Sequence, residues 1–239
     1  MLIHRNSQAS TTDLGFTLIE LLVVIAIIGI LAAMLLPVLG GMKKKARIGE
    51  AKSQISILRT AIAHYQSEYN DRMPVSGLAS SSVNVNSPDM TFGTTLTNGM
   101  VIASTPVIST GNNGYQNCNA EVITILTDST NWPNLNHTLN PHKIRMFEAT
   151  RASSTNSPGI GPDGTLRDPW NNPYIVTLDL NSDNKCQDGF YYPLTKGAEP
   201  MIVTNSVMIW SFGPDGKADA NRSTGPKGGA NKDNILSWE

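Results

Sequence analysis

Residues 21–36 read LLVVIAIIGILAAMLL, without one charge or strongly polar side chain. With the apolar flanks at 16–19 and 37–39, the stretch is about as long as a bilayer requires, roughly 20 residues of helix. This run sets the plan of the chain: a helix that seeks lipid or sister helices, then a part that folds in water. A secretory signal peptide is one plainer reading. Its apolar part is about 7–15 residues and ends at a small-residue cleavage site. Here the run is longer, and no clear A-x-A site precedes a polar domain. An ordinary single-span anchor explains the run but not Glu20. An unpaired carboxylate in hydrocarbon costs several kcal/mol, so an acid inside such a segment needs a named partner and is a functional candidate.

Pro37 lies late in the helical pattern, where it removes a backbone donor and kinks or loosens the preceding turn. Beyond it Ala51, Ile55, Leu58, Ile62, Tyr65 and Tyr69 recur at steps of three and four, the apolar stripe of an amphipathic helix. Lys52, Arg59, Gln66 and Glu68 occupy the opposite face. Residues 70–74 (NDRMP) end the helix, because Pro74 disfavours a helical Met73. Lys43, Lys44, Lys45 and Arg47 fall between the two halves and read as a solvated or headgroup-facing surface.

The rest reads as a small α+β domain. Residues 76–118 are rich in Ser, Asn, Thr and Gly, which predicts loops with short strands. Residues 120–126 (AEVITIL) predict a short helix with Asn119 as its N-cap. After the turn-rich DPWNNPY, residues 175–180 alternate like a strand, and 207–212 predict a second. Residues 234–238 are expected to dock on that sheet.

Chemistry-bearing motifs are sparse. Net charge is −1, so no basic field points to nucleic acid. No G-x-S-x-G, H-E-x-x-H or phosphate-loop pattern is present, and no catalytic residue is expected. His137 and His142 lack a third ligand and read as surface residues. Asp179, Asn181 and Asp183 stand at alternate positions, like the start of an EF-hand-type Ca²⁺ loop. The closing acid is missing, since Phe190 stands there, and a polar hairpin turn is the plainer reading. Cys118 and Cys186 would allow one disulfide in an exported domain, or are two unrelated small residues.

The segment Gly15-Phe16-Thr17-Leu18-Ile19-Glu20 resembles the prepilin processing motif of type IV pilins and type II secretion pseudopilins. The resemblance implies that a prepilin peptidase cuts after Gly15 and methylates the new amine of Phe16. That amine on a neighbouring subunit would neutralise Glu20 and set the stagger between subunits. Gly29 and Pro37 match helix-weakening positions of the family.

The C-terminal features DPWNNPY, WSFGPDGK and DNILSW resemble the major, G-type pseudopilin. Together the likeness covers roughly residues 1–75 and 165–239. It implies a structural Ca²⁺ held by Asp215, with Asp219, Asp233 and a carbonyl near Phe212. The expected organisation is a leader (1–15), a transmembrane assembly helix (16–39), an amphipathic stem (40–73), a variable region (74–165) and a β-sheet region (166–239).

A structural filament subunit follows, with other pseudopilins, prepilin peptidase, an inner-membrane secretion platform and membrane lipid as partners. Its place would be the inner membrane of a Gram-negative bacterium, with the head in the periplasm. The alternative is a type IV pilin or minor pilin with an adhesive or binding role. The basic residues after the run, against Arg5 before it, would by themselves orient the C-terminal part to the cytoplasm. The resemblance implies the reverse.

Overall fold

The structure is a computed structural model and describes residues 16–83, 89–97, 100–103, 118–192, 201–219, 225 and 227–239. The side chains of 35–39, 94–97 and 100–103 lie outside that set. Gly15 and the leader lie outside it as well. The elements in chain order are α1 (Leu18–Glu68), α2 (Gly77–Ser82), β1 (Asp89–Phe92), β2 (Thr94–Thr97), β3 (Met100–Ala103), α3 (Ala120–Leu126), β4 (Gly159–Ile160), β5 (Leu166–Arg167), β6 (Ile175–Asp179), β7 (Val207–Ser211) and β8 (Ile235–Leu236). Two units divide the chain, Met1–Lys45 and Ala46–Glu239.

In the second unit, α1 does what its sequence spacing predicts. Ala51, Ile55, Leu58, Ile62, Tyr65 and Tyr69 are all buried, joined by Ala61. The helix ends at Glu68, where Asn70 and Asp71 turn to positive φ (53° and 60°). Asn and Asp tolerate that left-handed geometry better than other side chains with a Cβ. The Asp71 N–H then donates back to the Gln66 carbonyl at 2.8 Å.

The stripe packs against one face of a four-stranded antiparallel sheet of order β1-β6-β7-β8. Val176, Leu178, Val207, Ile209 and Ile235 share its core, together with Val122, Ile123, Ile125 and Leu126 of α3. The predicted docking of 234–238 is a strand pairing: Trp210 stands opposite Leu236 and Ser211 opposite Ile235.

The other face of the sheet differs from a half-exposed alternating strand. Every residue of β6 and β7 is buried. Ile175, Phe190, Tyr191, Trp210 and Phe212 form a second core, with Trp238 packed on it. The Tyr191 ring meets those of Trp210 and Trp238 edge-on, at centroid distances of 5.1 and 5.4 Å. Under this layer Asp188 is completely buried. Its carboxylate accepts from the Thr177 hydroxyl (2.6 Å), Trp210 Nε1 (3.1 Å) and the N–H groups of Phe190 and Tyr191 (3.0 and 2.9 Å).

Two expectations are corrected here. Asn119 precedes α3 but does not cap it: its backbone is helical and its side chain makes no cap bond. Its amide donates to the carbonyls of Leu166 and Tyr174 (2.9 and 2.7 Å), and its oxygen accepts from the Leu166 N–H (2.8 Å). Stitching β5 to α3 satisfies three buried backbone groups, where a cap would satisfy one. Cys118 and Cys186 are buried and form no disulfide. Each has its own packing site: Cys118 just before α3, and Cys186 bridged to Val203 with Sγ 3.5 Å from the Thr177 carbonyl.

The buried tyrosines set the alkaline limit of the fold. Desolvation pushes Tyr65 up to about 12 from 10.0 and raises Tyr174 and Tyr191 further. A raised phenol contributes stability that is intact below pH 10.0 and is lost as pH climbs through the folded-state value. Tyr65 alone is expected to remove about 2–3 kcal/mol between pH ~10 and ~12. Thermal melts from pH ~9 to ~12 should show a steep fall in that window. A flat profile would mean that these phenols are not buried.

Candidate functional site: the N-terminal segment and the acidic loops

Phe16 and the apolar side chains of 18–34 are exposed. Glu20 is the acid in the first turn of α1. Its Oε2 accepts from the Thr17 N–H (2.8 Å) and from the Thr17 hydroxyl (2.6 Å), while the Glu20 N–H donates to Thr17 Oγ1 at 3.4 Å. This is a capping box: Thr17 stands before the first helical residue, and Glu20 reaches back from the third. The pattern T-x-x-E was legible in the sequence, and the sequence reading passed over it. Within a single chain the carboxylate is therefore held by Thr17.

Gly29 has open space where a Cβ would stand, and α1 continues through Pro37 without a break. Gly29→Ala should therefore add about 1 kcal/mol of helix stability without a clash. A thermal melt or helicity measurement that falls would contradict this. Among the described residues no helix is long and apolar enough to cross a membrane. The 21–36 run enters residues 35–39, whose side chains lie outside the description, so the expected span is not carried by the described residues. Lys43, Lys44, Lys45 and Arg47 are exposed, as expected of a solvated surface.

In the second unit the motif residues mostly serve their own turns. Asp168 of DPWNNPY is buried and accepts from the N–H groups of Trp170 and Asn172 (2.8 and 2.9 Å) and from the Ser211 hydroxyl (2.5 Å). It ties the turn to β7. Asp179 accepts from the Ser182 and Asn184 N–H groups, Asn181 from Asp183, and Asp183 from Lys185. Successive side chains hold the backbone of one hairpin turn, with Ser182 and Asn184 at positive φ.

The Asp215 loop is ordered in the same way. Asp215 Oδ1 accepts from the Lys217 N–H at 2.8 Å. Asn231 donates to the Asp219 carbonyl and accepts from the Asp219 N–H, both at 2.8 Å. With its amide turned to satisfy both of its groups, Asn234 donates to the Phe212 and Lys217 carbonyls (3.0 and 3.3 Å). Gly213 has φ +68, and a Cβ there would stand 2.0 Å from the Asp233 carbonyl oxygen, so only glycine lets these two turns meet.

Asp215 and the Phe212 carbonyl are engaged by the protein. Among the described residues no group of three His, Cys, Asp or Glu side chains could hold a metal ion. Asp233 Oδ1 is buried and without a hydrogen-bond partner. The histidines are separate: His137 Nδ1 is 2.6 Å from Asp128, and His142 pairs with Glu68. Sequence reading missed Asp188, and also Asn140, which accepts from the Tyr69 hydroxyl and donates to the Ile125 and Ile144 carbonyls.

An N-terminal helix followed by an antiparallel sheet is an α+β arrangement, consistent with a pilin-like fold. A family model described as a prokaryotic N-terminal methylation motif matches residues 12–36. The chain is 42% identical over 67 residues to "Type II secretion system core protein G" of Pectobacterium carotovorum subsp. carotovorum, covering 28% of this chain and 42% of that protein. It is 44% identical over 59 residues to the protein of the same name from Escherichia coli (strain K12), covering 25% and 41%. It is also 42% identical over 64 residues to "Type IV major pilin protein PilA" of Myxococcus xanthus (strain DK1622), covering 27% and 29%. The chain thus spans less than half the length of these relatives. No solved structure matches it.

Proposed function

We propose that the chain is a structural subunit, a pseudopilin, of a type II secretion filament, anchored in the inner membrane by α1 with its sheet-bearing part in the periplasm. The carrying observation is the exposed apolar face of residues 16–34, interrupted by one carboxylate held beside the future terminus. Prepilin peptidase removes the leader after Gly15 and methylates Phe16. Glu20 then exchanges its Thr17 cap for the Phe16 amine of a neighbouring subunit, and the apolar faces of several α1 helices bury one another. The likeness to core protein G of two species supports secretion over the pilus reading. No step requires catalysis by this chain.

The test is leader removal in cells that make prepilin peptidase. A bulky replacement such as Gly15→Leu should leave the chain at its full mass, while the parent loses residues 1–15. Loss of the leader from both chains would place processing elsewhere.

A further inference from the structure

β8 lies at one edge of the four-stranded sheet, and among the described residues no strand pairs with its outer side. The Ser237 N–H donates to the Ile209 carbonyl at 2.9 Å, one residue along the register that sets Trp210 opposite Leu236. Bonded and non-bonded partners alternate along an antiparallel pair, so Leu236 turns its N–H and C=O away from β7. An outward pair of this kind is a template for one more strand.

That edge borders a cleft of about 170 Å³ against α1, lined by Lys52, Ile55, Ser56, Arg59, Leu236 and Ser237. Ile55 is buried, while Lys52, Ser56 and Arg59 are exposed. Those three follow one another at steps of four and three, which places them on one face of the helix. Among the described residues neither Lys52 nor Arg59 has an ion-pair partner. Glu239 is the one acid on the rim, and Lys227 already holds its carboxylate. Two exposed cations on a helix are ordinary. Two that flank the open edge of a strand define an occupant: an extended backbone for Leu236, with negative side chains for Lys52 and Arg59.

We propose that the cleft between α1 and β8 binds an extended acidic segment of a partner protein, added to the sheet as a short strand beside β8. Seven residues separate Lys52 from Arg59, about 10.5 Å of helix. Acids at three alternate positions of a strand span about 13 Å, within reach of both cations. Main-chain bonds to Leu236 set the register, and the cations select the sequence. β8 is only two residues long, so the charges carry much of the affinity and salt weakens it. The site lies apart from residues 16–34 and does not depend on the filament role.

The experiment is fluorescence anisotropy of a labelled peptide, acetyl-Glu-Val-Glu-Val-Glu-amide, titrated with the full chain in non-ionic detergent. The peptide should bind, and should weaken several-fold between ~20 and ~200 mM salt. The lysine counterpart, acetyl-Lys-Val-Lys-Val-Lys-amide, should not bind. Lys52→Glu combined with Arg59→Glu should cut the affinity about tenfold or more, and should leave the melting temperature within about 2 °C because both residues are exposed. Lys44→Glu, in the other basic cluster, should change little. Two further peptides, N-methylated on the glutamates or on the valines, test strand addition. One set should lose binding and the other keep it, since alternate residues of a strand face opposite edges. No binding of the acidic peptide, or equal loss in Lys44→Glu, would overturn the site. Equal behaviour of the two methylated peptides would overturn the added strand. Self-association of the chain that the double variant abolishes would give the cleft to a second copy and overturn the partner reading.

Discussion

Glu20→Ala is expected to leave the chain synthesised and folded but to cut its recovery in filaments by about tenfold or more. The size follows from the proposed pairing: an amine and a carboxylate buried without each other cost several kcal/mol, and each 1.4 kcal/mol or so is a factor of about ten. The head should not notice, since α1 buries its core residues from Ala51 onward. The capping box sharpens the experiment. Glutamine serves a capping box nearly as well as glutamate but carries no charge. Glu20→Gln therefore keeps the Thr17 bonds and loses only the attraction for the Phe16 amine. It should be nearly as defective as alanine. Thr17→Val removes the hydroxyl and keeps the charge, which should cost about 1 kcal/mol at the helix start and leave assembly reduced but present. Normal filaments from Glu20→Gln would reduce Glu20 to a cap.

Asp188→Ala should produce the largest loss of stability in the second unit. It strips the acceptor from the Thr177 hydroxyl, the Trp210 indole and two backbone N–H groups, all beneath the aromatic layer and out of reach of water. Unmet donors of this kind cost about 1–3 kcal/mol each before relaxation, so a net loss of about 4 kcal/mol is expected. For a domain of this size that is a drop of roughly 10 °C in melting temperature, readable from tryptophan fluorescence. Asp188→Asn should also destabilise, because an amide NH₂ would face the Trp210 N–H. A melting temperature unchanged within about 1 °C would mean that Asp188 is not the acceptor at the centre of this layer.

Legibility followed the range of the interactions. The stripe of α1 could be read because a helix repeats every three or four residues, and each member met the core as expected. β6 and β7 were found within a residue of their predicted ends, because apolar strands bounded by Gly, Pro and Asp announce themselves locally. β1 was not resolved as a strand. It has four residues in a polar region, and its register partners are the distant residues of β6. An antiparallel sheet commonly leaves one face to water. Thr177 and Ser211, on opposite faces of the sheet, are instead both buried, satisfied by Asp188 and Asp168, and only the folded chain brings those acids beside them.

The acidic loops show a different limit. Asp, Asn and Asp at alternate positions suit both a cation and a chain of side-chain-capped turns. Asp179, Asn181 and Asp183 each accept from a backbone N–H of the turn that follows them. What the sequence left dark was Asp89, which strand pairing brings to that turn, where it accepts from the Gln187 N–H. At the N-terminus the residues were legible and one role was not. Glu20 was read as needing a cation, while its first partner within the chain is Thr17.

The filament role is tested most directly by the mass of the chain in the filament fraction sheared from cells that carry the secretion machinery. The expected result is a chain in that fraction that begins at Phe16 and carries one added methyl group. A chain absent from the fraction, or present there with residues 1–15 still attached, would contradict it.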